Sequence, residues 1–416
     1  MASQTENFAL IRVVGVGGAG SNAVNRMIRA ELLGVEFIAV NTDAQALVKS
    51  HAPTRIRIGD AISRGLGAGG DSAVGERAAH EDLENLRKAL DGSDLVFVTA
   101  GMGGGTGSGA APVVAKVAKD LGALTIGIVT KPFEFEGKRR AAVAHAAAEE
   151  LRKYVDTLIV IPNERLLNVV SRQTSMEDSF RIADDVLRQA VQGVSDVITV
   201  PGIINLDFAD VRSIMKEAGS ALMGIGRASG ENRARAAAEL AILSPLLELD
   251  IQGATGVLVN VAASSTVTLH EVNEAINHIT ERADPEANII FGTSLDETLA
   301  DEVQITVIAT GFAGNARSQS SAAALQRSEY PYGGADDATP RWSATTEATA
   351  PSFNAAPAVG AAPAAQPSVT PAWTPVTHPA VAQPSGDAVQ GADAGVTPSP
   401  VPSDELEIPA FLRRRS

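Results

Sequence analysis

Residues 101–109 read GMGGGTGSG, six glycines in nine positions, and they follow directly on the apolar run DLVFVTA at 94–100. Glycine loses more conformational freedom on folding than any other residue, so this density is costly unless a close approach or an unusual dihedral demands it. A flexible linker would explain the composition, but a linker has no place between a buried strand and a helix. Here AAPVVAKVAKDLG follows, with Pro112 expected in the first turn of a helix and Gly122 at its C-terminal cap. Strand, glycine loop and helix in that order aim backbone N–H groups and a helix N-terminus at an anion, which makes the loop a phosphate cradle.

A second glycine loop lies near the start, in IRVVGVGGAGSNAVNRMI. Gly15, Gly17 and Gly20 satisfy G-x-G-x-x-G, and Asp43, at the end of the following strand, lies where a dinucleotide fold keeps its ribose-binding acid. Taken alone this loop supports a nicotinamide-dependent dehydrogenase. That alternative leaves GMGGGTGSG unexplained, and a third cluster, GLGAGGDSAVG at 65–75, adds to the strain. Three cradles suit a triphosphate better than one pyrophosphate. A P-loop is excluded, because Gly137-Lys138 is followed by Arg139 and not by Ser or Thr.

Around these loops the first 200 residues alternate strand and helix patterns. Short β-branched runs at 10–14, 35–40, 94–100, 124–130 and 157–162 suit a parallel sheet covered on both faces. A helical stretch at 174–198 follows. Its apolar residues Met176, Phe180, Ala183, Leu187, Ala190, Val194 and Val197 step by four and three, so one stripe faces a core. Segments 256–263, 269–282, 287–293 and 303–312 describe a second, smaller α/β unit, with the long helix as the joint. The expected fold class is therefore α/β: a parallel-sheet nucleotide-binding domain, a long central helix, a second α/β domain and a disordered C-terminal tail.

Composition narrows the remaining possibilities. With no cysteine among 416 residues, disulfides and thiolate chemistry are excluded. MASQTENFA carries neither a basic nor an apolar leader, no apolar run approaches membrane-spanning length, and a cytoplasmic protein without direct membrane insertion is expected. A net charge of −15 opposes nucleic acid as a partner. Beyond residue 317, 13 of the 21 prolines crowd into 331–402, and no Leu or Ile occurs from 342 to 403. Such a stretch cannot bury enough apolar surface to offset its ordering, and disorder is expected.

The motifs GGGTGSG, GVGGAGSNAVNRM, NTDAQAL, PFEFEGKRR, NLDFADV and the terminal EIPAFLRRR together resemble the FtsZ family of tubulin-like GTPases, which acts in bacterial cell division. The resemblance runs from 10 to 313 and resumes at 404. It implies a GTP-binding domain at 1–175, a central helix at 176–200, a C-terminal GTPase-activating domain at 201–316, a linker at 317–403 and a docking peptide at 404–416. It places GTP or GDP on Gly18, Ala19, Gly20, Ser21 and Asn22, and on Gly103, Gly104, Gly105, Thr106 and Gly107. Ala68, Gly69 and Gly70 fall near the γ-phosphate, Glu136 at the ribose, and Arg140 near sugar and phosphates. Ala19 and Ser21 stand where family members often carry glycine, which matters only if their backbones need positive φ.

Phe180 and Asp184, four apart, share a helical face. The resemblance sets Phe180 on the base plane and Asp184 on guanine N1–H and its amine, with Asn163 near the same edge. Adenine offers an acceptor and no amine there, so a carboxylate rejects it. Asp207 and Asp210 read locally as a helix N-cap and an N3 acid. The resemblance instead sends them into the nucleotide site of the next subunit as catalytic acids, in a head-to-tail polymer. It further implies Mg²⁺ with the nucleotide, no protein metal site, assembly at midcell beneath the membrane, and membrane-anchoring and regulatory division proteins as partners of 404–416. A related filament protein of DNA segregation is the alternative that EIPAFLRRR opposes.

Both tryptophans, Trp342 and Trp373, lie in the proline-rich segment. The native protein should therefore show solvent-exposed tryptophan emission before any denaturant is added. A blue-shifted native spectrum would contradict the expected disorder.

Overall fold

The computed structural model of the chain describes residues 9–168, 173–247 and 251–312. The linker and docking-peptide expectations lie outside the described residues.

Among the described residues ten strands form one sheet: β1 (Ile11–Val16), β2 (Val35–Asn41), β3 (Thr54–Arg57), β4 (Leu95–Gly101), β5 (Leu124–Lys131), β6 (Thr157–Pro162), β7 (Gly219–Ser229), β8 (Gly256–Ala263), β9 (Asn288–Leu295) and β10 (Glu302–Thr310). Their order is β3-β2-β1-β4-β5-β6-β7-β10-β8-β9. From β3 through β7 every pairing is parallel; β10 runs antiparallel between β7 and β8, and β8 pairs parallel with β9. The chain moves outward from β1 to β3, then returns to place β4 on β1's other side. That reversal opens a crevice at the C-terminal ends of β1 and β4, where α/β sheets bind ligands.

Burial follows the pleat. In β1, Ile11 and Val13 face one core while Val14 and Val16 face another. Phe97 and Val98 divide in the same way in β4. Both faces are buried, which is why the strands read as continuous apolar runs. One core takes the helix Gly17–Arg29 and the central helix Met176–Thr199; the other takes the helices Ser72–Glu81, Gly105–Asp120 and Lys138–Arg152. A third core lies under the helices Arg233–Ile242 and Leu269–Thr280, against β8 and β10.

The central helix starts at Ser175, whose Oγ accepts a hydrogen bond from Asp178 N at 3.0 Å. Of its expected stripe, Ala183, Leu187, Ala190, Val194 and Val197 are buried, whereas Met176 is exposed beyond the reach of the core. Ala221 and Met223 of β7, Leu258 of β8 and Ile308 of β10 share this helix's core. The helix thus packs on both halves of the sheet.

Strand β7 does not follow from sequence pattern. It reads GSALMGIGRAS, and internal glycine weakens a strand signal. Its first residues, Gly219 to Ala221, pair with β6, and Leu222 to Ser229 pair with β10. The glycines serve close packing. A Cβ on Gly224 would stand 2.0 Å from Ala241 O, and one on Gly226 2.0 Å from Ala237 O. Both oxygens belong to the alanine-rich helix Arg233–Ile242.

The helix expected after GMGGGTGSG also starts earlier than its sequence suggests. It spans Gly105–Asp120, so Pro112 lies inside it and not in its first turn. Its C-terminus closes as expected: Gly122 adopts φ +87°, its N–H donates to Lys119 O, and Ala123 N–H donates to Ala118 O. That pair of bonds is a Schellman motif.

Glycine recurs in this helix because another backbone crosses it. A Cβ on Gly109 would stand 2.0 Å from Ser72 O and 2.5 Å from Glu76 N, and one on Gly75 2.4 Å from Gly105 O. Gly109→Ala gains about 1 kcal/mol of helix propensity. It also forces two helices apart, at the upper end of the roughly 1–3 kcal/mol cost of overpacking, because the obstructing atoms are backbone. Urea denaturation should therefore show a net loss of about 1–2 kcal/mol; a stabilised variant would refute this packing.

Candidate functional site

Three glycine loops meet at the crevice between β1 and β4. A Cβ on Gly17 would lie 2.9 Å from Gly107 N, and one on Gly20 2.4 Å from Thr99 O. A Cβ on Gly101 would lie 2.6 Å from the Ala19 methyl, and one on Gly105 2.8 Å from the Ala68 methyl. The loop containing Gly103 to Gly107 therefore touches both the loop at Gly18 to Asn22 and the loop at Ala68 to Gly70. Gly103 adopts φ +95°, and a Cβ there would meet Arg140 Cγ at 2.7 Å, which brings Arg140 to the same cradle. Ala19 and Ser21 lie within the helix Gly17–Arg29 and outside the positive-φ residues, so alanine and serine carry no backbone strain at these positions.

Helices Gly17–Arg29 and Gly105–Asp120 both start here with no side-chain cap and no acid in the first turn. Asp43, Asp71, Ser175, Asp207 and Thr268 cap other helices, while Lys138–Arg152 and Arg233–Ile242 also start without a cap; what distinguishes the two site helices is that their ends share one crevice. First-turn N–H groups have no intrahelical partner, and two uncapped positive helix ends in one crevice suit a polyanion. Thr106 and Thr42 share a hydroxyl–hydroxyl hydrogen bond of 2.7 Å, and Ser108 Oγ accepts from Gly103 N at 2.8 Å. The Ser108 hydroxyl thus holds the loop's shape. Asp43 caps the helix Ala44–Val48, accepting from Gln45 N and Ala46 N, which commits the acid that a dinucleotide fold would offer to a ribose.

Beside the cradle, loop 133–136 supplies a second cluster. Phe133 is buried and stacks on Phe135 with centroids 5.0 Å apart; Phe180 meets Phe133 edge-on at 5.4 Å. Glu136 accepts from Phe133 N at 2.9 Å and pairs with Arg140 Nε at 3.2 Å. Asn163 opens the short helix Asn163–Leu166 at the end of β6. Asp184 lies on the central helix, one turn after Phe180, with Oδ2 3.6 Å from Arg26 Nε.

Among the described residues, the buried side-chain polar atoms without a partner are Ser21 Oγ, Thr99 Oγ1 and Asn163 Oδ1. Buried polar groups are nearly always paired, so such orphans mark positions where another molecule completes the bonding. Ser21 and Asn163 both fall on expected nucleotide-binding positions. A buried carbonyl acceptor at Asn163 matches the donor-rich edge of guanine. The residues present therefore fit a guanine nucleotide.

Two expected residues lie elsewhere. Asp207 caps the helix Phe208–Met215, its Oδ1 accepting from Asp210 N at 2.8 Å, and both acids are exposed. They follow the far end of the central helix. From Phe180 to Thr199 that helix rises about 28 Å at 1.5 Å per residue, so one chain does not bring these acids to its own cradle.

A parallel sheet with uncapped helix ends and glycine loops at its switch point, continued along a long helix into a mixed half built on β7 to β10, defines a nucleotide-binding protein of the tubulin-like class. Comparison with known proteins agrees. Residues 10–171 match the Tubulin/FtsZ family GTPase domain, and residues 219–313 match the FtsZ family C-terminal domain. The solved structure of the empty FtsZ dimer of M. jannaschii is 45% identical, with a TM-score of 0.72 over 74% of this chain and 89% of that one. Two CetZ structures from Haloferax volcanii share the fold at lower identity. The GDP-bound CetZ1 monomer is 22% identical, with a TM-score of 0.64 over 76% of this chain and 99% of that one. The GTPγS-bound CetZ2 protofilament is 19% identical, with a TM-score of 0.61 over the same shares. The chain belongs to the FtsZ family of tubulin-like GTPases.

Burial pushes the Asp184 carboxyl up to about 6, against the opposing pull of Arg26. Its neighbour Asp185 stays below the usual carboxylate range: burial raises it, but hydrogen bonds from Arg188 and Gln189 outweigh that. A carboxyl raised in the folded state binds its proton more tightly than the unfolded chain does. Its ionisation therefore costs stability as pH rises from about 4 to above 6. Without nucleotide, Asp184→Asn should be more stable than the native protein at neutral pH by about 1–2 kcal/mol, after discounting for the partner Arg26 loses. The difference should vanish below about pH 4, where both forms are neutral. Thermal unfolding across pH checks both size and sign; a destabilised variant at neutral pH would contradict the assignment.

Proposed function

We propose that this chain binds GTP in the crevice, hydrolyses it to GDP and phosphate, and polymerises head to tail into filaments in which Asp207 and Asp210 of one subunit complete the site of the next. The observation that carries this reading is the separation along the central helix. Three glycine loops and a base-reading pair stand at one end, while two exposed acids stand beyond the other. A site split between opposite ends of a subunit is made whole by a second copy in the same orientation. Such a contact is heterologous and does not close, so it propagates as a filament. The dimeric and protofilament states of the FtsZ and CetZ structures support this reading.

In this arrangement the uncapped N–H groups of residues 17–20 and 105–107 hold the phosphates, and Gly69 and Gly70 lie toward the γ-phosphate. Phe180 covers the base while Asp184 and Asn163 accept from its N1–H and amine. Glu136 lies at the ribose and Arg140 near the phosphates. Mg²⁺ bound with the nucleotide would neutralise phosphate charge, and the chain's own part in catalysis is positioning and electrostatics. Capping occupies one oxygen of Asp207 and leaves the other to orient water. The nucleotide domain extends over 1–175 and the activating domain over 201–316. Filaments of this family member form the division ring at midcell in the cytoplasm, recruiting membrane-anchoring and regulatory proteins through 404–416. No helix among the described residues is long and apolar enough to cross a membrane.

GTP turnover measured against protein concentration tests the shared site. Specific activity should vanish below a threshold and rise above it. Asp210→Ala should bind GTP yet hydrolyse slowly, and mixed with native protein it should depress activity beyond its mole fraction. If the acids serve only as a cap and a dipole partner, the variant loses about 0.3–1 kcal/mol of stability and keeps its activity per folded molecule. Constant specific activity down to dilute monomer would remove the shared site.

A further inference from the structure

We propose that Arg26 determines base specificity, its guanidinium holding Asp184 in the ionised, acceptor-only form that takes guanine and refuses adenine. This rests on the reading of Asp184 as the guanine contact and adds to it a residue that acts through that carboxylate.

The argument begins with position. Arg26 lies on the helix Gly17–Arg29, four residues after Asn22 and hence on the same face. Its Nε is 3.6 Å from Asp184 Oδ2, with side chains only 27% and 18% exposed. At that burial an ion pair is weakly screened, and an opposite charge within about 4–6 Å lowers a carboxyl by about 1–3 pH units. Arg26 is thus the cation opposing the desolvation that lifts Asp184.

The other charged groups do not replace it. Asp185, on the same helix, pushes Asp184 upward, and Arg188 is bound to Asp185 and Gln192. Arg29 lies in the last turn of the first helix and is exposed. Of the other elements packed on the central helix, the short helix Asn163–Leu166 carries Glu164, which accepts from Glu134 N at 2.9 Å, and the exposed Arg165. Strand β5 carries Lys131 at its end, and β8 and β9 carry no ionisable residue.

Protonation state decides which base fits. An ionised carboxylate accepts two hydrogen bonds, matching guanine N1–H and its amine. Once protonated it presents an O–H, which opposes guanine N1–H and can donate to adenine N1. Without Arg26, Asp184 would carry its proton near neutral pH. Guanine affinity would fall, and rejection of adenine would weaken with it.

The test is competition of GTP and ATP against a fluorescent guanine nucleotide on the full chain, from about pH 5.5 to about 8.5. The native protein should hold GTP affinity at neutral pH and lose it as pH falls through about 6. In Arg26→Gln the loss should set in about one pH unit higher or more. For one unit that means roughly threefold weaker GTP binding near pH 6.5, approaching tenfold below about pH 6, and a smaller GTP-to-ATP ratio, both recovering toward about pH 8.5. Arg26→Lys keeps the charge and should keep the native profile. Should Arg26→Gln not fold, Arg26→Met retains the apolar stem and carries the same comparison. A uniform loss at every pH, or an Arg26→Lys profile displaced as far as that of Arg26→Gln, means that Arg26 only packs, and overturns the proposal. Asp184→Asn separates the two layers. If it leaves GTP affinity intact, the guanine reading fails and the proposal with it; if it weakens GTP while Arg26→Gln leaves the profile unmoved, the proposal fails alone.

Discussion

Everything at the site depends on two backbones meeting without side chains between them. Where β1 and β4 end, Gly20 faces Thr99 O and Gly17 faces Gly107 N at distances that no Cβ tolerates. This contact brings the N-termini of two helices into one crevice and leaves their first N–H groups uncapped. Separated by side chains, each helix end would be a weak anion site of its own. Together they form a field suited to a chain of phosphates. The same logic extends outward, since Gly75 and Gly109 allow the helix Ser72–Glu81 to lie directly on the helix Gly105–Asp120.

The central helix turns this local site into something larger. Its small and branched residues, Ala183, Ala190, Val194 and Val197, pack on strands from both halves of the sheet, and a Cβ on Gly193 would stand 2.7 Å from the Thr306 methyl. One end of the helix carries Phe180 and Asp184; the other leads to Asp207 and Asp210. A rod with shared packing along its length fixes the spacing between the cradle and these two acids, on which the proposed shared site depends. It also buries Asp184 and Asp196, each pushed up to about 6 by desolvation. At Asp184 that burial is a cost to the fold, for which the proposed base contact supplies a reason.

Much of this was legible in the chain itself. The two glycine loops, the strands that end in them and the capping pattern at Asp207 and Asp210 are local features, governed by backbone sterics and short-range hydrogen bonds. What escaped was non-local. β7 looks too glycine-rich for a strand because its glycines answer to a helix later in the chain. Pro112 looked like a helix start, yet the helix begins seven residues earlier, where glycines meet a crossing backbone. Met176 keeps the period of its stripe but runs past the end of the core. A Gly-x-Gly inside an apolar run, followed by an alanine-rich helix, is the signal that would have revealed β7.

Sequence by itself determined the glycine loops, the parallel sheet and the four-residue spacing of Phe180 and Asp184, since each follows from conformational freedom or periodicity within a short segment. Only the tertiary structure decided that Arg26 stands against Asp184, that Ser21 and Asn163 are buried with unpaired oxygens, and that Asp207 and Asp210 lie a helix length from the cradle. Pairing, desolvation and distance belong to residues far apart in the chain, and they acquire values only when packing brings those residues together or holds them apart.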